Sequence, residues 1–377
     1  FLEGRRLRAL HGEDAVADLA LGQPLEPTEA VRQAFATAGA ERRSGRFAYM
    51  PNLGYPELRE RAAADVGHDG ITAQNIAMTI GAAGAIMLAL RTFVDPGDEV
   101  IALTPYFSEF RLYCETSGAL FVPVPTREDL SVDIEAVAAA LNARTAAIIV
   151  NSPCNPSGHV LTENELREIA TLLEDHRRRH NRRVILIADE VYHRILYPPA
   201  AAADVLSIYE HSLLARSFSK DLGLAGERIG YLALHPSLGG DRVERGLEVC
   251  MRALGFVSAP ATAQRALVHL ESWDVDTAPH QRLRDLAHAG ALAAGLDVAP
   301  PEGALYLWAR SPWPDTIAYV QALAERRVLI TPGIAFATPD HVRLCFTAGE
   351  AALHQAFEAI AGLGNGGKGG IRTPEGA

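Results

Sequence analysis

Lysine is almost missing from this chain: of its 35 basic residues only Lys220 and Lys368 are lysine, and all the others are arginine. Cysteine is scarce as well. The four present (Cys114, Cys154, Cys250, Cys345) form no C-x-x-C pair and no metal-ligand spacing, which leaves neither a disulfide framework nor a zinc motif to read. Long apolar runs are lacking; the longest, Ile80 to Leu90, falls well short of the ~20 residues that span a bilayer. The opening Phe-Leu-Glu-Gly-Arg-Arg has no apolar stretch of signal-peptide type. Positive charge is in deficit, 35 basic against 46 acidic side chains for a net −11, the wrong sign for holding nucleic acid by its phosphates. The one dense basic cluster, Arg177, Arg178, Arg179, Arg182 and Arg183, reads as a solvated helix end. These absences lead us to expect a cytoplasmic protein with reduced thiols, without a metal, a membrane or a nucleic-acid partner.

What is present is an ordinary globular composition, 48% hydrophobic and 21% charged over 377 residues, enough for a large domain and a smaller one. Short apolar runs (75–80, 99–103, 146–150, 184–188, 213–216, 228–234) alternate with helical stretches such as 85–94. Thr162-x-x-Glu165 makes a capping box before a long amphipathic helix. This alternation predicts an α/β fold, a mostly parallel sheet with helices on both faces. From about Ser272 the pattern shifts to a helix (281–294), strands at 298, 306–309, 328–330 and 342–346, and a last helix over 349–361, a smaller α+β domain. The expected organisation is an N-terminal segment (1–40) joining the small domain, a large domain (41–271), the small domain (272–363) and a disordered glycine-rich tail (364–377).

Ligands of open α/β sheets bind beyond the carboxyl ends of the strands. Here those ends carry Gly81–Gly84, Thr104–Phe107, Asn151–Gly158, Asp189 with Tyr192, and Ser217–Lys220. A helix opening at Gly81-Ala-Ala-Gly offers bare amides to a phosphate, and Ser217 and Arg228 add a hydroxyl and a positive fork. No G-x-G-x-x-G or G-x-x-x-x-G-K-[ST] is present, so neither a dinucleotide fingerprint nor a nucleotide P-loop is supported. Lys220 is the one lysine in the foldable part of the chain. Arginine cannot lose its proton, whereas lysine can become a neutral nucleophilic amine. Asp189, a carboxylate ending an apolar strand, needs a positive partner there. A Schiff-base amine, a phosphate cradle and a carboxylate for a protonated ring nitrogen together describe pyridoxal 5′-phosphate.

Ser217-Phe-Ser-Lys-Asp-Leu-Gly-Leu-Ala-Gly-Glu-Arg-Ile-Gly230, Asn151-Ser-Pro-Cys-Asn-Pro-Ser-Gly158 and Ala188-Asp-Glu-Val-Tyr192 resemble the class I/II aminotransferases of fold type I. Tyr49-Met-Pro-Asn-Leu-Gly-Tyr-Pro-Glu-Leu-Arg59 is similar to the stretch before the cofactor loop in bacterial aspartate aminotransferase-like members. The resemblance implies that Lys220 carries pyridoxal phosphate as a Schiff base and then shuttles a proton. By the same resemblance Asp189 keeps the ring nitrogen protonated, Tyr192 and Asn155 bond the ring's phenolic oxygen, and Phe107 stacks on the ring. Ala82, Ala83, Ser217 and Arg228 would hold the phosphate, joined by Tyr49 of a neighbouring subunit in a homodimer with shared sites. Arg343 would clamp the substrate α-carboxylate, with Gly22 closing over it and Asn155 beside it. The double alanine departs from the hydroxyl-bearing versions of this loop. The implied reaction moves an amino group between an L-amino acid, with a lean towards aspartate or glutamate, and a 2-oxo acid in a ping-pong sequence. Arg252 is a candidate for a second carboxylate by position only, and Tyr306 or Phe336 could equally line an apolar pocket.

Two rivals stay open at this point. Relatives of the fold run elimination, racemisation, decarboxylation or ring formation with largely the same residues. Ser217-x-x-Lys220 also matches the S-x-x-K of serine acyl-enzymes, but the companion S-D-N and K-T-G are absent.

Overall fold

The computed structural model describes residues 2–42 and 47–364. Most of the tail expected over 364–377, with Lys368, lies outside the described residues. The strands are β1 (Ala17–Asp18), β2 (Ile76–Thr79), β3 (Glu99–Thr104), β4 (Leu120–Pro125), β5 (Thr145–Asn151), β6 (Ile185–Asp189), β7 (Ser212–Ser217), β8 (Gly230–Leu234), β9 (Asp297–Val298), β10 (Tyr306–Arg310), β11 (Val328–Leu329), β12 (Thr331–Pro332) and β13 (His341–Cys345).

Seven of them form one sheet in the order β2-β8-β7-β6-β5-β3-β4. Only β8 runs against its neighbours; the other pairings in that sheet are parallel. The expected mostly parallel α/β sheet is therefore found. The helix Gly81–Phe93 lies on one face in a core with Leu88, Val100, Ile149 and Leu232, and the helix Glu163–His180 on the other with Ile148, Leu186 and Leu214. Thr162 and Glu165 make the capping box expected before the second of these. At its end Arg178 and Arg179 are exposed and, with the half-buried Arg177, pair with Glu174 and Asp175 on the same helix, whereas Arg182 is half-buried and pairs with Asp98.

The run Leu120–Pro125 was not expected as a strand. Its two prolines argue against a central strand, and it is an edge strand paired with β3 alone, where a missing N–H is tolerated. The helix expected to open at Gly81-Ala-Ala-Gly does begin at Gly81 and runs to Phe93.

A second core gathers around the sheet β12-β13-β10-β9, with Leu305, Leu307, Tyr319, Leu344 and Phe346. The N-terminal segment divides between the two cores instead of joining one. β1 pairs in parallel with β11, and Leu19 is buried in the second core. The helix Glu29–Ala40, by contrast, sends Val31, Ala34 and Ala38 into the first core. Its apolar stripe meets the helix Ala261–His269, which anchors it there.

Among the described residues no helix is long and apolar enough to cross a membrane.

Candidate active site

Register brings the polar residues to one edge. Across the sheet Thr79 is paired with Gly230, Gly230 with Ser217, and Asp189 with Asn151. Because β8 is antiparallel, its first residues lie at the edge where the parallel strands end, and this brings in Arg228 as a sixth contributor. Gly230 has to be glycine there: a Cβ would stand 2.4 Å from the carbonyl oxygen of Arg216 and 2.9 Å from the carbonyl carbon of Gly81.

This edge and the second core enclose a cavity of about 370 Å³. Gly22, Ala82, Ala83, Phe107, Asn155, Asp189, Tyr192, Ser217, Lys220, Arg228 and Arg343, named from the sequence, all line it. Tyr49 does not; it is fully exposed and outside its own chain's cavity. Arg252, on the helix Asp241–Ala253, is exposed and also outside.

Lys220 Nζ donates to the carbonyl oxygen of Gly22 at 2.5 Å. Burial pulls its amine below the usual lysine range, and the nearby guanidinium groups of Arg343 and Arg228 add to this. The amine is thus closer to its neutral, nucleophilic form than a surface lysine. Asp189 shows the opposite case: burial, reinforced by the Glu190 carboxylate, pushes its carboxyl up to about 7. Its Oδ2 accepts from Asn151 Nδ2 at 3.2 Å, whereas its Oδ1 is buried with no hydrogen-bond partner.

Arg343, on β13, donates to Asn155 Oδ1 (2.8 Å) and to the Ala20 carbonyl oxygen (2.5 Å). It lies against the rings of Tyr306 and Phe336, its Cζ 4.4 and 4.8 Å from their centres. Arginine only donates, so Asn155 must present its oxygen to Arg343, which leaves the amide NH₂ as its free donor end. The hydroxyls of Tyr192 and Tyr306 bond each other at 2.8 Å. Burial raises both phenols, Tyr306 to about 12, so both keep their protons.

Helix Gly81–Phe93 has no side-chain cap, which leaves its first amides to the cavity. Gly81 is at φ +73, and a Cβ on it would come within 3.2 Å of Arg228 Nη2. Ser217 Oγ lies beside Ser219 Oγ at 2.7 Å.

The comparisons with known proteins agree with this geometry. Residues 14–360 match the family model "Aminotransferase class I and II". The aspartate/prephenate aminotransferase of Thermus thermophilus is 31% identical over 372 residues, 93% of this chain and 91% of that protein. The chain belongs to the class I and II aminotransferases. Aromatic-amino-acid aminotransferase 2 of Thermococcus litoralis is 27% identical, covering 93% of this chain and 92% of that one. Among solved structures, an aminotransferase of Eubacterium rectale aligns with a TM-score of 0.89 at 28% identity, covering 96% and 93% of the two chains. The Thermus thermophilus aspartate aminotransferase with maleate gives 0.84 at 29%, covering 96% and 94%.

As an aminotransferase of this family the protein uses pyridoxal 5′-phosphate, an amino acid and a 2-oxo acid. Its residues fit that cofactor on their own terms. The unpartnered Asp189 Oδ1 is an acceptor that a cationic N–H would suit, the uncapped helix start with Ser217 and Arg228 suits a phosphate, and Lys220 supplies the amine.

Sequence reading left out several of the lining residues. Ser219 was inside a motif already quoted. Glu109 and Tyr113 sit four residues apart, one turn of the helix Glu109–Thr116, with Tyr113 pushed up to about 12 by burial and by Glu109 and Asp189. Thr331, on β12, and Ala335, in the short 3-10 helix Gly333–Phe336 after it, come from the second core, where nothing local marks them.

Gly22 yields a steric prediction. A Cβ there would stand 2.1 Å from the Tyr306 hydroxyl oxygen. Gly22→Ala is expected to destabilise the fold by about 1–3 kcal/mol, read as a lower Tm, and to raise KM for the amino acid.

Proposed function

We propose that the cavity is where the amino-group exchange occurs, with the residues in the roles named from the sequence. The observation that carries this reading is the pairing of a half-buried amine of lowered pKa with a buried carboxylate oxygen that has no partner, across one cavity. Bound pyridoxal phosphate supplies an electron sink for the pair released when a substrate Cα–H bond breaks. Asp189 would keep the ring nitrogen protonated; Ala82, Ala83, Ser217 and Arg228 would hold the phosphate; Phe107 would cover the ring, and Asn155 and Tyr192 would hydrogen-bond its oxygen.

The rest is the work of the chain itself. Arg343 takes the substrate α-carboxylate on its two Nη atoms, exchanging a neutral carbonyl acceptor for a charged one, which makes a stronger hydrogen bond. Holding that group fixes which Cα bond faces the base. Lys220 Nζ, released from Gly22, would take up the Cα proton and pass it to the cofactor's carbon, the transfer that separates amino-group exchange from racemisation. Tyr192 and Tyr306, kept neutral, donate hydrogen bonds without adding charge.

The donor we assign is aspartate or glutamate, supported by the name of the Thermus relative. Among the described lining residues the cations are Lys220, Arg228 and Arg343, all with roles, and the carboxylates are Asp189 and Glu109. A second substrate carboxylate then calls for a cation from a neighbouring protomer, and Arg252 is the candidate. The same assembly, a homodimer, would bring Tyr49 to the phosphate; the complete exposure of Tyr49 supports a covered face there. We also retain the two domains, divided near residue 272, and a reducing cytoplasmic compartment, supported by four cysteines without disulfides.

The test is to run the half-reactions apart. Aspartate or glutamate alone should release its 2-oxo acid stoichiometrically with sites and then stop, and a 2-oxo acid alone should restore the starting spectrum. Ammonia release or continuous turnover without an acceptor would contradict the proposal. Arg343→Lys should lower kcat/KM about 10²-fold, because a point charge cannot make the two-pronged contact.

A further inference from the structure

Behind the cavity wall lies a buried and half-buried group of charges that the reaction as described does not use. Each member neighbours an active-site residue in sequence: Glu190 follows Asp189, Arg216 precedes Ser217 and Asp221 follows Lys220. Alternation along β7 turns Arg216 to the side opposite Ser217, and none of the three side chains lines the cavity. Arg194, two residues beyond Tyr192, donates one arm to Asp221 Oδ2 and the other to Asp65 Oδ1 at 2.5 Å. Its Cζ also lies 5.9 Å from the centre of the Phe218 ring. One guanidinium thus grips the Lys220 turn on both sides, at Phe218 and at Asp221, whose side chain is wholly buried.

Asp65, on the helix Pro56–Val66, is the anchor. Its Oδ2 accepts from the Tyr231 hydroxyl at 2.8 Å and faces Arg216 Nη1 at 3.7 Å, and Arg216 Nε donates to Glu190 Oε2 at 2.8 Å. The Tyr192 segment, the ends of β6 and β7 and the Lys220 turn therefore share a single hub.

We infer that Arg194, anchored by Asp65, is a positioning residue for Lys220, fixing where its amine stands in the cavity without touching the reactants. The fork is what the job needs. Two carboxylates about a guanidinium's width apart, on different elements, are bridged rigidly by arginine, whereas lysine would meet one of them as a point charge. The inference rests on the reading of Lys220 as the reactive amine.

The test uses the protein saturated with pyridoxal phosphate and compares Arg194→Met and Arg194→Lys with the parent. The readouts are kcat, KM, the pH midpoint of the visible absorbance change, and Tm. Arg194→Met is expected to lower kcat about 10²-fold, the scale for small misplacements of a catalytic group, with KM little changed and the midpoint displaced. Arg194→Lys should recover Tm yet remain at least about tenfold down in kcat. Parent-like kcat and midpoint in folded Arg194→Met would overturn the inference. So would a loss of kcat with the midpoint unmoved, or full recovery by lysine. If Arg194→Met does not fold, as a stranded buried carboxylate allows, Asp65→Asn decides: a lower kcat with a displaced midpoint supports positioning, and parent values overturn it. A parent protein with neither a visible band nor turnover would instead contradict the reading of Lys220 itself, and the inference would fall with it.

Discussion

Lys220→Ala is expected to abolish amino-group transfer, with activity falling by about 10⁴-fold, while the fold survives. Both halves of that result follow from the same observation. Nζ is half-buried, tied to the carbonyl of Gly22 and depressed in pKa by desolvation and by Arg343 and Arg228. A lysine whose pKa is lowered on folding disfavours the folded state wherever the unfolded chain would hold the proton. Removing it should leave the Tm of the cofactor-free protein unchanged or raised. Lys220→Arg should be as inactive as Lys220→Ala, since arginine keeps the charge and cannot give up its proton. Steady-state rates and thermal unfolding on the same preparations check this, and substantial turnover by either variant would contradict it.

Asp189→Asn should lower kcat about 10⁴-fold, by analogy with the loss when the carboxylate that orients a catalytic imidazole is neutralised. It should also flatten a pH dependence. The Asp189 carboxyl is raised from 3.8 to about 7 by burial and by Glu190. Between those values the folded protein holds a proton that the unfolded chain has lost. Without cofactor, stability should therefore fall as pH rises from about 4 to 7, and the fall should cease above the folded value. Denaturant unfolding of the cofactor-free protein at several pH values reads this slope, which Asp189→Asn should reduce. With cofactor bound, a cation opposite Oδ1 removes the reason for the raised pKa, and the slope should weaken in the parent as well. Activity within tenfold of the parent would contradict the assignment.

The site was more legible in the sequence than the packing around it. Gly81, Asn151, Asp189 and Ser217 interrupt apolar runs at their ends, and a sheet of parallel strands gathers those ends on one edge. Lys220 was marked by composition, because thirty-three arginines surround the choice of lysine. Where the sequence was silent, the cause was distance along the chain. Nothing near Thr331 or Ala335 tells that the second core carries them to the cavity, and nothing near Asp65 announces Arg194. The N-terminal segment misled because its helix Glu29–Ala40 and its strand β1 serve different cores, a division that short-range pattern does not encode. Leu120–Pro125 misled because its prolines are tolerated only at the edge it occupies.

The central claim is that one amine holds the cofactor. Borohydride reduction of the protein with pyridoxal phosphate, followed by proteolysis and mass spectrometry, addresses it directly, because a chain with two lysines leaves few places for the label. The expected product is one reduced pyridoxyl group per chain on the peptide containing Lys220, with the visible band lost in step. Label on Lys368 or the terminal amine alone, or no label with the band intact, would contradict the account.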